Sequence, residues 1–287
     1  VDWLNTIVQG VLLGGLYALF AAGLSLIFGV MRLVNIAHGD IIVVTAYMAF
    51  FTTRLLGIDP FTALLIVVPL SALVGYLLQR LLLNRTLGED LPPLLVTFGL
   101  SVIIQNVLLL LFKADSHKLQ MGSLEVASWM PVPGLYIGAL PLIQFCTAVV
   151  VVGGLQVLFY RTPLGRAFRA TSDDPEIAQL MGLDNRHLFG MAMALALAVA
   201  AIAGTFIAIR TNFDPFAGPN LLIFGFEAII IGGLGSLWGT LAGGVLLGVA
   251  QSVGGELNVA WPILAGHVAF LMVLLVRRQG LFPKVMA

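Results

Sequence analysis

The sequence predicts an all-α protein that crosses a membrane several times. Three observations carry this. First, 60% of the 287 residues are hydrophobic and only 10% are charged, against about 25% charged in a soluble domain. Second, the apolar residues fall into about eight blocks of roughly 17–25 residues, the length that crosses ~30 Å of hydrocarbon as a helix. Third, the separators are short and polar, and the blocks lack the strict alternation of ~10-residue barrel strands. Helices satisfy their own backbone in hydrocarbon, so they are the expected spans.

The blocks are 5–30, 41–57, 61–79, 93–112, 134–160, 188–209, 222–250 and 260–276. Because they continue to residue 276, a cleavable targeting segment does not explain them. The basic residues between them set the expected orientation. Arg80 and Arg85 follow the third block, Arg161, Arg166, Arg169 and Arg186 fill the gap 160–188, and Arg277, Arg278 and Lys284 close the chain. All three places are expected in the cytoplasm, and 113–133 outside. If the first three blocks each cross once, the N-terminus lies outside.

The block 222–250 upsets this alternation. A single crossing there would leave Arg277 and Arg278 outside. `GGLGS` (232–236) interrupts the block, so a broken or re-entrant element around 222–250 restores a cytoplasmic tail; a single tilted span is the competing reading. Gly232, Gly233 and Gly235 are the expected break. Gly235, Gly239 and Gly243, Gly244 and Gly248, and Gly10 and Gly14 recur at every fourth residue. That spacing makes a flat strip for close packing inside one bundle, a moving contact or a subunit interface.

Ionisable groups inside a membrane are candidates for function. The stretch `VNIAHGDI` (34–41) places Asn35, His38, Gly39 and Asp40 between two apolar blocks. These residues either cap a helix start or line a path. Glu227 is expected near the outer surface or bonded to backbone at the helix break, and His267 as a satisfied core or rim histidine. Cys146 is the only cysteine, so no intrachain disulfide forms, and its expected role is that of a small buried hydrophobe.

The gap 160–187 is too short for a domain with its own core. It carries a marked helix: Asp174 as cap, Pro175 at the first position, Glu176 at the positive end and Gly182 as terminator. Ile177, Leu180 and Met181 line one side of it. That apolar side could press on a cytoplasmic partner, on the chain's own core or on lipid.

Other chemistry is excluded by what is missing. The net charge is zero, with no basic patch for nucleic acid. The sequence has no H-E-x-x-H, no phosphate loop ending in GK[ST] and no G-x-S-x-G. No catalytic residue and no metal ligand is expected.

Four stretches together carry a family resemblance: `NTIVQGVLLGGLYALFAAGLSLIFGVMRLVNIAHGD` (5–40), `LLVTFGLSVIIQN` (94–106), `YRTPLGRAFRATSDDPEIAQLMGLD` (160–184) and `FGFEAIIIGGLGSLWGTLAGGVLLG` (224–248). In this order they resemble the LivH-type membrane permeases of branched-chain amino acid ABC importers, a family that also carries urea, amides and carboxylic solutes. The resemblance implies that 1–287 is one permease domain including a cytoplasmic coupling loop, 160–187. It implies four partners besides the lipid bilayer: a LivM-type sister permease or a second copy of the chain, two cytoplasmic ATPases, and an extracytoplasmic solute-binding protein. ATP and Mg²⁺ then belong to the ATPases, with no cofactor on this chain. The setting implied is the bacterial cytoplasmic (inner) membrane. Residues 171–182 become the coupling helix. Asn35, His38, Gly39 and Asp40, then Thr97, Phe98 and Gly99, then Glu227 with the break glycines, lie near the translocation path or shape its helix breaks. The rival class is an ion-coupled secondary transporter using Asp40 and Glu227, since broken helices also form ion sites.

Overall fold

A computed structural model describes residues 2–86 and 91–282; Lys284, counted above among the basic residues of the tail, lies outside them. The long helices are α1 (Asp2–Met31), α2 (His38–Leu56), α3 (Pro60–Leu81), α4 (Leu91–Phe112), α6 (Ala139–Arg161), α9 (Asn185–Arg210) and α11 (Leu237–Leu257). Each is long and apolar enough to cross a membrane. Shorter helices are α5 (Ser123–Val126), α7 (Pro163–Asp173), α8 (Pro175–Leu180), α10 (Gly218–Gly232) and α12 (Pro262–Val276), and strands β1 (Ser128–Val132) and β2 (Leu135–Gly138) form an antiparallel hairpin. The expected block 134–160 therefore starts in a strand: Gly134, at φ 85°, turns the chain after Pro133, and the helix begins at Ala139.

The chain divides into two compact units, one of residues 1–22, 120–153 and 223–287, the other of 23–119 and 154–222.

In the second unit α9 packs against α2 and α3. Its alanine-rich run lets backbones approach closely. A Cβ on Gly75 would lie 2.7 Å from the Met193 carbonyl, and one on Gly204 would lie 2.5 Å from the Ile42 carbonyl. Asp59 caps α3, accepting from Thr62 N at 2.9 Å and from Thr62 Oγ1; these bonds hold its carboxyl below the usual value. At one end of the unit, Tyr76 OH meets His187 Nδ1 (2.8 Å) and accepts from Arg80 (3.0 Å), while Asn84 donates to the Arg186 carbonyl (3.1 Å). The two arginine-bearing gaps 80–86 and 184–187 thus share one end. Elsewhere 113–119 joins the end of α9, through a His117–Phe213 bridge and a Leu119 N to Ala208 O bond of 2.6 Å.

In the first unit the expected break is real: Gly233 (φ 106°) and Gly235 (φ 78°) turn the chain between α10 and α11. Gly232 meets Gly239 and Gly243 meets Ala228 backbone to backbone. The other glycine strip, Gly244 and Gly248, meets Gly10 and Gly14 of α1. Both strips are consumed within this unit, which is the close-packing reading. Leu281 N and Phe282 N donate to the carbonyls of Ile231 and Gly232 at 2.8 and 2.9 Å. They satisfy the orphan carbonyls at the end of α10. The tail therefore returns to the end of the bundle where the glycine turn lies.

Candidate functional site

The second unit carries a buried polar cluster around the first turn of α2. Arg32 leaves α1 with a left-handed φ of 51°, and 33–37 runs back along it. His38 lies at the level of Gly23, where a Cβ would sit 2.8 Å from its ring. About 12 Å of α1 continues beyond that point at 1.5 Å per residue. The helix therefore starts inside the apolar bundle and not in a surface turn. Asn35 makes the start possible: its side-chain oxygen accepts from Ala37 N (3.1 Å) and its carbonyl from His38 N (3.2 Å). Asn35, His38 and Asp40 are buried, at 0%, 0% and 2% exposure.

Asp40 sits in the first turn of α2, where a negative charge is favoured. Its two carboxylate oxygens accept from Ser101 Oγ (2.6 Å) and Gln105 Nε2 (3.0 Å) of α4. One turn earlier, Thr97 Oγ1 accepts from Ile36 N at 3.2 Å. Thr97, Ser101 and Gln105 form a polar stripe at i, i+4, i+8 on an otherwise apolar helix, and that spacing is the signal that points to Ser101 and Gln105 from sequence. Phe98 and Gly99 are not part of it: Phe98 is 57% exposed on another face, and Gly99 has only open space beside it.

A third element closes the cluster. Gly39 faces the Gly218 carbonyl, and a Cβ on Gly218 would strike the Asp40 carboxylate. So α10 begins at the first turn of α2. Phe213, five residues earlier, packs on Tyr47 and Phe50, two to three turns along α2. Residues 213–218 thus run down α2 into the bundle, an irregular stretch that sequence reasoning placed only at 232–236.

Glu227 lies in the first unit, 5% exposed, and binds His267 Nδ1 through one oxygen. The expectation of a backbone-bonded carboxylate is corrected: one oxygen pairs with a side chain 40 residues away, and the other is buried with no partner among the described residues. His267 is a rim histidine, its side chain 41% exposed. Nearby in sequence, Gly266 packs against Gln251, which accepts from Tyr17 OH at 2.5 Å. Cys146 is exposed, unlike its expected burial; its neighbours on α6 are apolar, a face that suits lipid.

The loop 160–187 forms two helices. Asp174 caps α8, accepting from Glu176 N (3.0 Å) and Ile177 N (2.9 Å), Pro175 opens it, and Gly182 at φ 87° follows its end. Ile177, Leu180 and Met181 are exposed at 58%, 86% and 80%. The expectation that they share a side holds, and that side is not turned into the chain's own core. The foundation beneath is firm. Phe168 of α7 is fully buried with Val30, Leu188, Phe189 and Ala192. Asn185, at the start of α9, donates to the Pro175 carbonyl (2.7 Å) and accepts from Thr171 (3.2 Å), and Ser172 donates to the Gly29 carbonyl (2.8 Å).

The family described as "Branched-chain amino acid transport system / permease component" matches residues 6–277. The chain belongs to this family. BraD of Pseudomonas aeruginosa, a high-affinity branched-chain amino acid transport system permease protein, is 27% identical over 98% of this chain and 96% of its own length. LivH of Escherichia coli K12 is 24% identical over the same shares of both chains. LivM of the same organism is 25% identical, over 93% of this chain and 68% of LivM. This family member is a multi-pass membrane permease.

Proposed function

We propose that this permease is the membrane subunit of an ATP-driven importer for branched-chain amino acids or related small amino acid, amide or carboxylate solutes. It pairs with a LivM-type permease or a second copy of itself. Two cytoplasmic ATPases, which hold the ATP and Mg²⁺, bind below, and an extracytoplasmic binding protein delivers the solute. The chain itself performs no hydrolysis. It resides in the cytoplasmic membrane, with its C-terminus in the cytoplasm. The relatives named as branched-chain amino acid permeases support the solute class.

The observation that carries the coupling role is the unpartnered apolar face of α8 on a rigid base. An exposed Ile and Leu on a six-residue helix, with an exposed Met181 at its C-cap, is unfavourable without a cover. The ATPase groove provides one. ATP-driven closure of the ATPases moves α7 and α8 together. Asn185 passes the motion to α9, and Ser172 passes it to Gly29 near the end of α1, six residues beyond Gly23, which packs on His38. The two nucleotide states must bind the permease differently for this to drive transport. The irregular starts of α2 and α10, with Asp40, Asn35 and Thr97, line the path or shape the breaks beside it. The ion-coupled alternative gains no support from the family or the relatives. Co-purification with the ATPase, and uptake that follows ATP in proteoliposomes, tests the proposal; a permease that transports without an ATPase overturns it.

A further inference from the structure

Asp40 is a buried carboxylate in the first turn of α2, in the interior of the second unit. Ser101 and Gln105 each donate one hydrogen bond to it, and among the described residues no Lys, Arg or His is ion-paired with it. An uncompensated buried charge is strongly disfavoured in such a place. A structural acid at a helix start has no need to be 2% exposed; neutral Ser or Asn caps do that work without the burden. Each carboxylate oxygen retains a lone pair beyond the bond it accepts. The opposite pole is adjacent. Asn35 Nδ2 is a fully buried donor that finds no partner among the described residues. Asn35 lies one turn before Asp40, its backbone carbonyl accepting from His38 N at the start of α2.

From this pairing we infer that Asp40 is the residue that receives the solute's primary ammonium group, with the Asn35 side-chain amide facing its carboxylate. The inference rests on the amino acid importer reading above. A zwitterion fits a site that offers an acceptor and a donor on one helix start, and Gly39 and Gly218, where a Cβ would collide, let the start of α10 approach Asp40.

The seam between α2 and α4 continues from this site to an aromatic closure. Tyr47 stands on the same face of α2 as Asp40, seven residues on, and Phe112 on the same face of α4 as Ser101 and Gln105. The two rings stack at 4.2 Å, with Phe213 and His117 set edge-on to Tyr47 at 4.9 and 5.7 Å. The Tyr47 hydroxyl is buried and has no partner among the described residues.

The test uses the assembled permease–ATPase complex in nanodiscs, without binding protein. Tritiated leucine is the probe, 3-methylbutylamine and 4-methylpentanoate the competitors. The expected result is displacement of leucine by the amine and not by the acid, and at least tenfold weaker leucine binding in Asp40→Asn with unchanged melting temperature and unchanged co-purification of the ATPase. Should Asp40→Asn fail to assemble, Gln105→Leu, which leaves the carboxylate less well oriented, is expected to weaken leucine binding about threefold with the same competitor pattern. Competition by the acid alone, or leucine binding unchanged in the variant that assembles, overturns the ammonium site. A wild-type complex that imports leucine with its binding protein yet binds none without it also overturns the ammonium site and leaves the importer reading standing. A complex that imports no amino acid overturns both.

Discussion

Replacing Leu180 by Asp puts the coupling role of α8 to a quantitative test. Leu180 is 86% exposed and makes no contribution to the core, so the substitution should change the permease's own stability by no more than about 0.5 kcal/mol. The effect on the complex is different. If Leu180 is buried in an ATPase groove, losing it forfeits about 1.5–3 kcal/mol of apolar burial. Desolvating an unpaired polar or charged group there costs at least about 2 kcal/mol more. A loss of ~4 kcal/mol is close to a thousandfold in affinity at 1.4 kcal/mol per tenfold. The ATPase should no longer co-purify with the tagged permease, and transport-coupled ATP hydrolysis should disappear. The binding protein, docking on the other side, should still bind. Glu176→Lys, on the exposed start of the same helix, should weaken assembly far less. Full ATPase stoichiometry and normal coupling in Leu180→Asp would refute the reasoning, because the apolar face would then be covered by something else.

Other perturbations reach other links of the account. Asn185→Leu removes the partner of Thr171 and of the Pro175 carbonyl at a position only 3% exposed; a loss of about 1–3 kcal/mol is expected, read as ATPase that still binds but whose hydrolysis no longer responds to loaded binding protein. In Gly14→Leu the new side chain meets the backbone of Val245, whose nitrogen lies 2.8 Å from the ideal Cβ. Overpacking of this kind costs about 3 kcal/mol, so the melting temperature and yield of the purified permease should fall. A cysteine at Asn258, in the exposed turn between α11 and α12, should react with an impermeant maleimide from outside, while a reporter fused to the C-terminus should read as cytoplasmic; an unreactive Asn258→Cys with an external tail would reverse the orientation.

What was legible in the sequence was mainly local or periodic. The start and stop of α8 were readable because Asp174, Pro175 and Gly182 act on their own backbone within a few residues. The glycine turn at 233–236 was readable because a positive φ leaves glycine as the favoured choice. The dip at 213–218 was not, since Phe213 and Gly218 owe their place to contacts with α2, some 170 residues earlier, and neither carries a local signal of depth. The Glu227–His267 pair depends on α10 and α12 meeting in space, which no spacing reveals. Ser101 and Gln105 lay in between: their four-residue repeat with Thr97 was visible, but only the position of Asp40 gave the stripe a meaning. The strands at 128–138 hid inside an apolar run because `GLYIG` reads equally well as the start of a helix or as a short strand.

The central claim, that this permease moves its solute with energy delivered through α8 by ATP, is tested most directly in proteoliposomes holding the permease, its partner permease, the ATPases and the binding protein. Leucine uptake is measured with ATP present and every proton and sodium gradient collapsed by ionophores. The account predicts that uptake continues at its full rate and stops when ATP is withdrawn or when Leu180 is replaced by Asp. Uptake that stops on collapse of the gradients while ATP remains, or continues without ATP, would contradict it.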